Sequence, residues 1–472
     1  MPIIMISTPR SSDLIARLAG IVGAAQVLSE AAAIAPFLTD WRGRYRGAAH
    51  CVVRPGNTAE VAAVVRACVD AGVPVVPQGG NTSLCGAATP DAVGAAVLIS
   101  LSRLNRIVAV DRQNSTISVE AGCTLAALQV AACAADRLFP LALASEGTCQ
   151  IGGNLSTNAG GVQVLRYGNT RELTLGLEVV LANGEIWDGM RGLRKDNTGY
   201  DLKQLFIGAE GTLGIITGAV LKLFPLPKIQ LTCWLNVASP AAAVDLLNSA
   251  KTAFDAQLTA FELVSETALG LVLKHIPDTV RPSATSPWYV LAEFSDAEPT
   301  AVEGWLAERL AAGEVGDGVM AQSETQAKKL WALRETISEA QKIEGISIKH
   351  DVSVPVSRLP EFLALADAAL AKAFPGIRVV TFGHVGDGNL HYNLSKADAH
   401  GNADFIAAQP AVNRLVHDTV HALNGSISAE HGIGQLKREE ILRYKSPVEM
   451  ALMRSLKQAL DPRGLMNPGK LL

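Results

Sequence analysis

Two glycine-rich segments in the first third of the chain constrain its fold more than any other feature. The first, QGGNTSLCGAA, begins at Gln78 and follows the strand-like run VPVVP directly. The second, GTCQIGGNLSTNAGG, covers residues 147–161. Glycine allows positive φ and close approach, and consecutive backbone N–H groups in such loops bind anions. One such loop is often a plain connection, but two of them ahead of IGAEGTLGIIT predict a ligand site.

Neither segment fits the common nucleotide-binding motifs. No GxGxxG opens a helix, and no GxxxxGK[ST] occurs. Nicotinamide cofactors and nucleoside triphosphates therefore lack the loops that usually bind their phosphates.

The chain is long enough for several lobes. At 472 residues it exceeds what one hydrophobic core supports. The first glycine-rich loop closes a strand, helix, strand, loop unit, and Pro225 and Pro227 indicate the exit from that domain. The predicted segments are a helical lead-in (1–47), a ligand-binding domain (48–227), a second domain (228–424) and a C-terminal segment (425–472).

Charge and hydropathy exclude several classes of protein. The 41 basic and 45 acidic residues leave no basic excess for nucleic-acid binding. No apolar run is long enough to span a bilayer, and the N-terminus lacks a signal-peptide pattern. The seven cysteines include no CxxC pair, which favours reduced thiols. A cytoplasmic protein is expected.

Six of the nine histidines lie between His384 and His431. His384 and His391 are seven residues apart and would face opposite sides of an unbroken strand, but GDG at residues 386–388 interrupts it. Two imidazoles with one carboxylate are a common catalytic-metal set, and Glu430 is the predicted third ligand. The glycines after His431 allow a bend that leaves this histidine available for proton transfer.

His417 and His421 also have a spacing that suits zinc. The helix VNRLVHDTVHAL lacks the glutamate of an HExxH motif and has an ordinary amphipathic pattern. We therefore interpret these two histidines as packing residues.

The ordered motifs PQGGNTSL, IGGNLSTNAGG, LRYGN, LGLEVVLANG and DNTGYDLKQLFIGAEGTLGIIT resemble one family of flavoproteins. It is the vanillyl-alcohol-oxidase type, in its D-lactate and D-2-hydroxyglutarate dehydrogenase branch. The resemblance runs from about residue 50 to the C-terminus. It implies an α+β fold with a vanillyl-alcohol-oxidase/PCMH-type FAD-binding domain, an α+β substrate (cap) domain and a C-terminal helical return segment that completes the flavin and metal site.

The resemblance also implies the residues that hold FAD. Those expected at the pyrophosphate are Pro77, Gly79, Gly80, Asn81, Thr82, Ser83 and Gly86. Those expected along the flavin are Gly147, Thr148, Gly152, Asn154, Thr157, Asn158 and Gly161, with Glu210, Gly211 and Ile216 at the adenosine and Asn467 closing over the flavin. Some relatives attach FAD through a histidine, but Asn81 and Thr82 occupy that region here, so non-covalent FAD is expected.

By the same resemblance, His384, His391 and Glu430 bind a divalent metal, expected to be zinc, and His431 is the catalytic base. Arg334, Ser338, Lys349 and Asn393 match the family's substrate-binding positions. Arg334 and Ser338 are four apart in a helical pattern, which predicts one shared helix face. Serine replaces the threonine associated with its position, which affects only fine specificity. A guanidinium with a nearby lysine suggests a dicarboxylate.

The implied activity is oxidation of a D-2-hydroxy acid, with D-2-hydroxyglutarate as the preferred substrate and hydride transfer to flavin N5. D-lactate or glycolate oxidation is the alternative, and a flavin-dependent ether-lipid synthase, which is a transferase, is a further one. The electron acceptor could be an electron-transfer flavoprotein, a quinone or a cytochrome. The oligomeric state stays open, and a homodimer is among the assemblies that the sequence allows.

Overall fold

The computed structural model describes residues 11–396 and 402–472. This part of the chain divides into two compact units. Unit 1 contains residues 11–159, 169–226 and 430–472, and unit 2 contains residues 160–168 with the described residues of 227–429. The short segment 160–168 therefore belongs to unit 2, although it lies inside the predicted segment 48–227.

The described residues form nineteen strands and seventeen α-helices. The strands are Val27–Leu28 (β1), Cys51–Val53 (β2), Val75–Gln78 (β3), Val97–Ser100 (β4), Ile107–Asp111 (β5), Thr116–Glu120 (β6), Arg137–Leu138 (β7), Thr174–Leu181 (β8), Ile186–Gly189 (β9), Gly214–Lys222 (β10), Phe224–Pro225 (β11), Gln230–Val237 (β12), Leu258–Ser265 (β13), Trp288–Ser295 (β14), Gly318–Met320 (β15), Ser347–Ile348 (β16), Asp351–Ser353 (β17), Arg378–Gly383 (β18) and Asn389–Ser395 (β19).

The α-helices are Ser11–Val22 (α1), Ala31–Ile34 (α2), Thr58–Ala71 (α3), Leu125–Ala134 (α4), Ile151–Thr157 (α5), Val164–Tyr167 (α6), Lys203–Phe206 (α7), Pro240–Phe254 (α8), Glu266–His275 (α9), Pro299–Ala311 (α10), Glu324–Glu335 (α11), Ile337–Glu344 (α12), Leu359–Ala373 (α13), Asn402–Ala407 (α14), Gln409–Ala422 (α15), Arg438–Tyr444 (α16) and Pro447–Leu460 (α17). Both units mix helices with sheets, which confirms the predicted α+β class.

Unit 1 is built on two main sheets. One has the order β1-β2-β4-β3, in which β2, β4 and β3 are parallel. The other is antiparallel with the order β5-β6-β10-β8-β9. The first glycine-rich loop leaves the carboxyl end of β3. In parallel sheets this edge is where loops usually bind ligands.

Helix α3 shows how the local sequence determines where a helix of unit 1 begins, ends and is buried. The Asn57 side chain accepts the N–H of Glu60 as an N-cap, and Gly72 ends the helix with φ 70°. Its apolar residues Val61, Val64, Val65 and Cys68 are buried, at the three- and four-residue spacing of one helix face. The helix lies between β2 and β3 in sequence and contacts α1 and the β8–β9 pair.

Unit 2 is centred on one antiparallel sheet of eight strands. Its order is β15-β12-β14-β13-β18-β19-β16, with β17 also paired to β19. The central strand β13 is buried at all eight of its residues. Trp234, Tyr289 and Phe382 lead the apolar cluster that packs against α9, α11 and α12. A polar side chain on β13 therefore needs a partner within the protein.

The end of the chain returns to unit 1 through α17. The Lys457 ammonium donates to the carbonyls of Thr212 and Met466 at 2.7 and 2.9 Å, and to Asp461 at 2.7 Å. Asp461, with its side chain 2% exposed, also accepts the backbone N–H groups of Leu465 and Met466. This pair fixes the turn that leads to Asn467.

Two general properties concern the described part of the chain. None of its helices is long and apolar enough to cross a membrane. No disulfide joins the seven cysteines, all of which lie within it.

We expect Lys457→Met to lower the free energy of unfolding by roughly 2 kcal/mol, because it strips a buried carboxylate of its cation. Lys445→Met is the matched control. Lys445 and Glu449 are also four residues apart on the chain, but both side chains are 48% exposed, so the loss should stay below about 0.5 kcal/mol. Urea unfolding measures both, and equal losses would contradict the assigned role of Lys457.

Candidate active site

The two glycine-rich loops meet within unit 1. A Cβ atom on Gly80 would lie 2.0 Å from the carbonyl oxygen of Thr148, and one on Gly79 would lie 3.5 Å from Gln150 and 3.7 Å from the nitrogen of Gly153. Only glycine lets the backbones approach this closely. The structure therefore brings the two loops together.

The turn that contains Glu210 and Gly211 joins the same cluster. A Cβ on Gly211, whose φ is 70°, would lie 2.6 Å from Cγ of Pro77. The Asn467 amide donates to the carbonyl oxygens of Glu210 and Ala87 at 2.7 and 3.0 Å. The C-terminal return thus reaches the segment that contains the first glycine-rich loop, and the expected position of Asn467 over the flavin stays a prediction.

The carboxylate of Glu210 accepts hydrogen bonds from the protein backbone. Its two carboxylate oxygens accept the N–H groups of Ile433 and Gly434 at 2.6 and 2.8 Å. Burial raises the pKa of this carboxyl, and the two N–H donors only partly oppose that shift. Cys85 supports the same segment, because its carbonyl accepts the N–H of Gln435 at 2.8 Å. The expected contact of Glu210 with adenosine stays a prediction, but its carboxylate has a structural use.

The other predicted cofactor residues lie as follows. Asn81, Thr82, Ser83 and Gly86 are in the loop after β3, Gly147 precedes α5, Gly152, Asn154 and Thr157 are in α5, Asn158 caps it with φ 50°, Ile216 is in β10, and Gly161 lies in the 160–168 segment of unit 2. The side chain of Asn81 donates to the carbonyl of Thr39 at 2.8 Å. That of Asn158 accepts the N–H of Arg171 at 3.0 Å.

Unit 1 has the properties expected of an FAD site. Gln150 Oε1 and Asn467 Oδ1 are buried and have no hydrogen-bond partner within the described residues. A Cβ on Gly147 or on Gly153 would meet no described atom within 4 Å, in contrast to Gly80. Unsatisfied buried acceptors beside open, glycine-lined space fit a polar ligand. FAD therefore fits the residues present.

The two histidines predicted to bind a metal, His384 and His391, lie close together in unit 2. Strand β18 ends at Gly383 and β19 begins at Asn389, which confirms the predicted interruption. Ring nitrogens of His384 and His391 lie within 4.8 Å of each other, and the ring centroids are 5.7 Å apart. Two imidazoles at this separation can share one cation.

A carboxylate that the sequence reasoning overlooked lies beside this pair. A carboxylate oxygen of Asp351, on β17, is within 4.8 Å of a ring nitrogen of His391. Asn389 donates to Asp351 at 3.0 Å, and the N–H of Ala429 donates to the backbone carbonyl of Asp351 at 3.2 Å. The next residue after Ala429 is Glu430. In the sequence, the only indication of this role was that Asp351 is an acidic residue in a short strand directly after Lys349 and His350.

Glu430 and His431 lie in a bend of unit 1. Gly432 and Gly434 have φ values of 73° and 51°, in the left-handed region. This confirms the local bend, and the bonds from Ile433 and Gly434 to Glu210 hold it. The backbone that carries His431 is thereby fixed.

The most informative residue that sequence reasoning missed is Glu262, on β13. Its side chain is 1% exposed, and Oε2 accepts Arg334 Nε at 2.7 Å while Oε1 bonds His384 Nδ1 at 2.6 Å. Burial by itself would raise the pKa of this carboxyl, but His384 and Arg334 outweigh burial and the pKa lies below its usual range. A glutamate in the apolar run LTAFELVS was a possible signal, since a buried charge requires partners.

Arg334 and Ser338 do not share one helix face, which corrects the prediction. Helix α11 ends at Glu335 and α12 begins at Ile337, with Thr336 between them at φ −85°, ψ 0°. The carbonyl of Ala332 accepts both the backbone N–H and the hydroxyl of Thr336. On the two sides of this break Arg334 is buried and Ser338 is exposed.

The remaining substrate candidates and the second histidine pair also lie in unit 2. Lys349 directly follows β16, and Asn393, on β19, accepts the N–H of His350 at 3.2 Å and donates to Gln341 at 2.9 Å. His417 is buried and its ring centroid is 5.6 Å from that of His350, whereas His421 is exposed. Helix α15 thus buries His417 in packing.

Comparison with known proteins agrees with this geometry. Residues 49–189 match the family model "FAD binding domain", and residues 226–471 match "FAD linked oxidases, C-terminal domain". The chain is 42% identical over 456 residues to a D-2-hydroxyglutarate dehydrogenase of Xanthomonas citri pv. viticola, with 95% of both proteins covered. It is 39% identical to the D-2-hydroxyglutarate dehydrogenase of Stutzerimonas stutzeri, covering 97% of this chain and 98% of the relative.

Solved structures show the same fold. p-Cresol methylhydroxylase matches with a TM-score of 0.77 at 17% identity, covering 98% of both chains. An alkyldihydroxyacetonephosphate synthase matches with a TM-score of 0.73 at 20% identity, covering 97% of this chain and 84% of that one. Fold and family matches together define an FAD-dependent dehydrogenase with the PCMH-type FAD-binding fold. The chain belongs to the family of FAD-linked oxidases.

We expect Gly80→Ala to reduce FAD binding, because the added Cβ would lie 2.0 Å from the Thr148 carbonyl and push the two loops apart. Overpacking of this kind costs about 1–3 kcal/mol. The flavin absorbance of the purified protein measures the loss. Gly304→Ala is the control, since its Cβ would meet no described atom within 4 Å. Full FAD content in Gly80→Ala would contradict the tight approach.

A second buried glutamate provides a contrast to Glu262. Glu293, on β14, accepts the Thr259 hydroxyl at 3.0 Å and the Trp331 indole N–H at 3.1 Å. Burial raises the pKa of its carboxyl despite these donors. These neutral donors therefore do not compensate burial as Arg334 and His384 together do beside Glu262.

This difference predicts a pH dependence. Because the folded pKa of Glu293 is raised, its stabilising contribution is complete below the unfolded value of 4.5 and is lost as pH rises through the folded value. Glu293→Gln should therefore gain stability relative to the parent protein between pH 4 and pH 8, measured by urea unfolding. Glu361, whose pKa Arg358 lowers, stabilises the fold above the unfolded value of 4.5, so the disadvantage of Glu361→Gln should instead shrink as pH falls below 4.5. A difference for Glu293→Gln that does not vary with pH would contradict the assignment.

Proposed function

We propose that this chain oxidises D-2-hydroxyglutarate to 2-oxoglutarate with non-covalent FAD and a divalent cation, zinc. The observation that carries the proposal is the carboxylate of Glu262, which binds Arg334 and His384 together. A guanidinium for a substrate carboxylate thereby lies next to an imidazole for a metal. Relatives 37–42% identical to this chain bear the name D-2-hydroxyglutarate dehydrogenase, which supports the choice of substrate.

The substrate's distal carboxylate is assigned to Arg334. Its Nε is bound to Glu262, and no described residue accepts a hydrogen bond from its two terminal nitrogens. These two nitrogens form a fork that suits a carboxylate. Phe382 packs against the guanidinium at 4.8 Å and limits its movement. Lys349, Ser338 and Asn393 are the further substrate-binding candidates.

The cation is assigned to His384, His391 and Glu430. The imidazole pair lies together in unit 2, and nitrogen and carboxylate oxygen are the donor set of catalytic zinc. Asn389 Oδ1, adjacent to Asp351, is a buried acceptor without a partner in the described part of the chain, so this region is polar and incompletely satisfied. A bound cation supplies Lewis-acid stabilisation of the substrate's C2 oxygen.

His431 is the proposed base. It would take the proton of the C2 hydroxyl at a ring nitrogen while C2 loses its hydride. Glu210, through Ile433 and Gly434, holds the backbone of this histidine in place. FAD bound by the glycine-rich loops supplies the hydride acceptor, flavin N5.

Anaerobic addition of D-2-hydroxyglutarate, D-lactate, glycolate and L-2-hydroxyglutarate to the FAD-loaded protein tests this function. We expect D-2-hydroxyglutarate to bleach the flavin band at the lowest concentration and its L-enantiomer to have no effect. Bleaching by D-lactate or glycolate in preference would instead favour a monocarboxylate dehydrogenase. Protein that purifies without flavin would contradict the proposal altogether.

The same assay on Arg334→Lys tests the carboxylate assignment. Lysine retains the charge but loses the fork, so half-saturation by D-2-hydroxyglutarate should rise about 10- to 100-fold. D-lactate has no distal carboxylate, so its half-saturation should change little. Arg281→Lys, which alters an arginine paired with Glu266 elsewhere in unit 2, is the control. Equal effects on both substrates would remove Arg334 from this role.

We expect His431→Asn to slow flavin reduction by about 100-fold or more, because general-base catalysis is lost. FAD content should remain unchanged. The control is His421→Asn, which alters an exposed histidine of α15. Stopped-flow reduction by D-2-hydroxyglutarate measures both, and an undiminished rate in His431→Asn would assign the base elsewhere.

A further inference from the structure

Glu262 carries an inference that rests on the proposed function and goes beyond it. We infer that Glu262 is a positioning residue: its carboxylate keeps the proton of His384 on Nδ1, turns Nε2 into the metal ligand, and orients Arg334 for the substrate. Neither the metal motif nor the substrate motif of the sequence contains this residue.

The hydrogen-bond directions follow from the chemistry of the groups. An ionised carboxylate only accepts hydrogen bonds, so His384 Nδ1, 2.6 Å from Oε1, must carry a proton. In a neutral imidazole the other nitrogen, Nε2, then has the lone pair that a metal requires. Around zinc, a carboxylate that does not bind the metal commonly accepts the N–H of a metal-binding histidine and fixes the orientation of its ring.

The same carboxylate also binds Arg334. Oε2 accepts Arg334 Nε at 2.7 Å, and Arg334 comes from α11 while His384 follows β18. Phe382 contacts Arg334 on one side and His391 on another, with distances to its ring of 4.8 and 4.9 Å. Rotation of the Glu262 side chain would therefore disturb both the anion-binding and the metal-binding group.

Glutamine at position 262 would move the ring proton of His384 from Nδ1 to Nε2. It has one acceptor oxygen and one NH₂ donor in nearly the same shape. Arginine can only donate, so the glutamine oxygen must face Arg334 and its NH₂ must face His384. Nδ1 then has to accept, the ring proton moves to Nε2, and His384 can no longer offer Nε2 to a metal.

The chain offers a matched control in Glu293, on the neighbouring strand β14. It is also a buried glutamate, 8% exposed, but its partners are the hydroxyl of Thr259, the indole of Trp331 and the side chain of Gln163. None of these partners is a proposed metal or substrate ligand. Glu293→Gln therefore makes the same chemical change in the same sheet without touching His384.

Zinc binding to the FAD-loaded parent, Glu262→Gln and Glu293→Gln proteins tests the inference, with a chromophoric chelator as competitor and flavin absorbance as the check of folding. We expect Glu262→Gln to bind zinc about 10- to 100-fold more weakly than the parent. Glu293→Gln should differ from the parent by less than about twofold. Parental affinity in Glu262→Gln would overturn the inference.

The outcomes also separate this inference from the proposed function. If the parent binds zinc and is reduced by D-2-hydroxyglutarate while Glu262→Gln binds zinc equally well, only the inference fails. If the parent binds no zinc, the proposed metal site and the inference fail together.

If Glu262→Gln does not fold, the parent protein itself gives the answer. Long-range ¹⁵N–¹H correlation spectra of histidine-labelled, metal-free protein report which ring nitrogen carries the proton, with His384→Gln used for assignment. A proton on Nδ1 of His384 supports the inference. A proton on Nε2 alone would overturn it.

Discussion

The buried carboxylate of Glu262 is the interaction on which the rest of the proposed catalytic region depends. A charge within a fully buried strand is unfavourable unless an opposite charge and hydrogen bonds compensate it. Its two partners, Arg334 and His384, are 72 and 122 residues away in the chain. The fold of unit 2 must therefore bring β13, α11 and the turn after β18 together, and Arg334 and His384 hold the pKa of Glu262 below its usual range despite its burial.

Glu210 has a comparable place in unit 1, but with different partners. Its carboxylate accepts two backbone N–H groups of the C-terminal return. Among the described residues, no cation lies at hydrogen-bond distance from it. Its pKa is raised by burial, opposite to that of Glu262. The consequence is structural: Glu210 and Asn467 hold the return segment against the loops predicted to bind FAD, and this fixes the backbone of His431.

The sequence predicted those parts of the site that depend on local patterns. The glycine-rich loops, the interruption between His384 and His391 and the bend after His431 all follow from glycine at specific positions. Glu262 and Asp351 escaped notice because their importance lies in partners that are distant along the chain. The helix break at Thr336 escaped notice because neither proline nor glycine marks it, and a threonine hydroxyl bonded to Ala332 is a weak signal.

A crystal structure of the FAD- and zinc-loaded protein with 2-oxoglutarate, with anomalous data at the zinc edge, tests the central claim most directly. The account predicts zinc on Nε2 of His384, Glu262 between His384 and Arg334, and the terminal nitrogens of Arg334 on the distal carboxylate. Zinc bound elsewhere, or a ligand carboxylate held without Arg334, would contradict it.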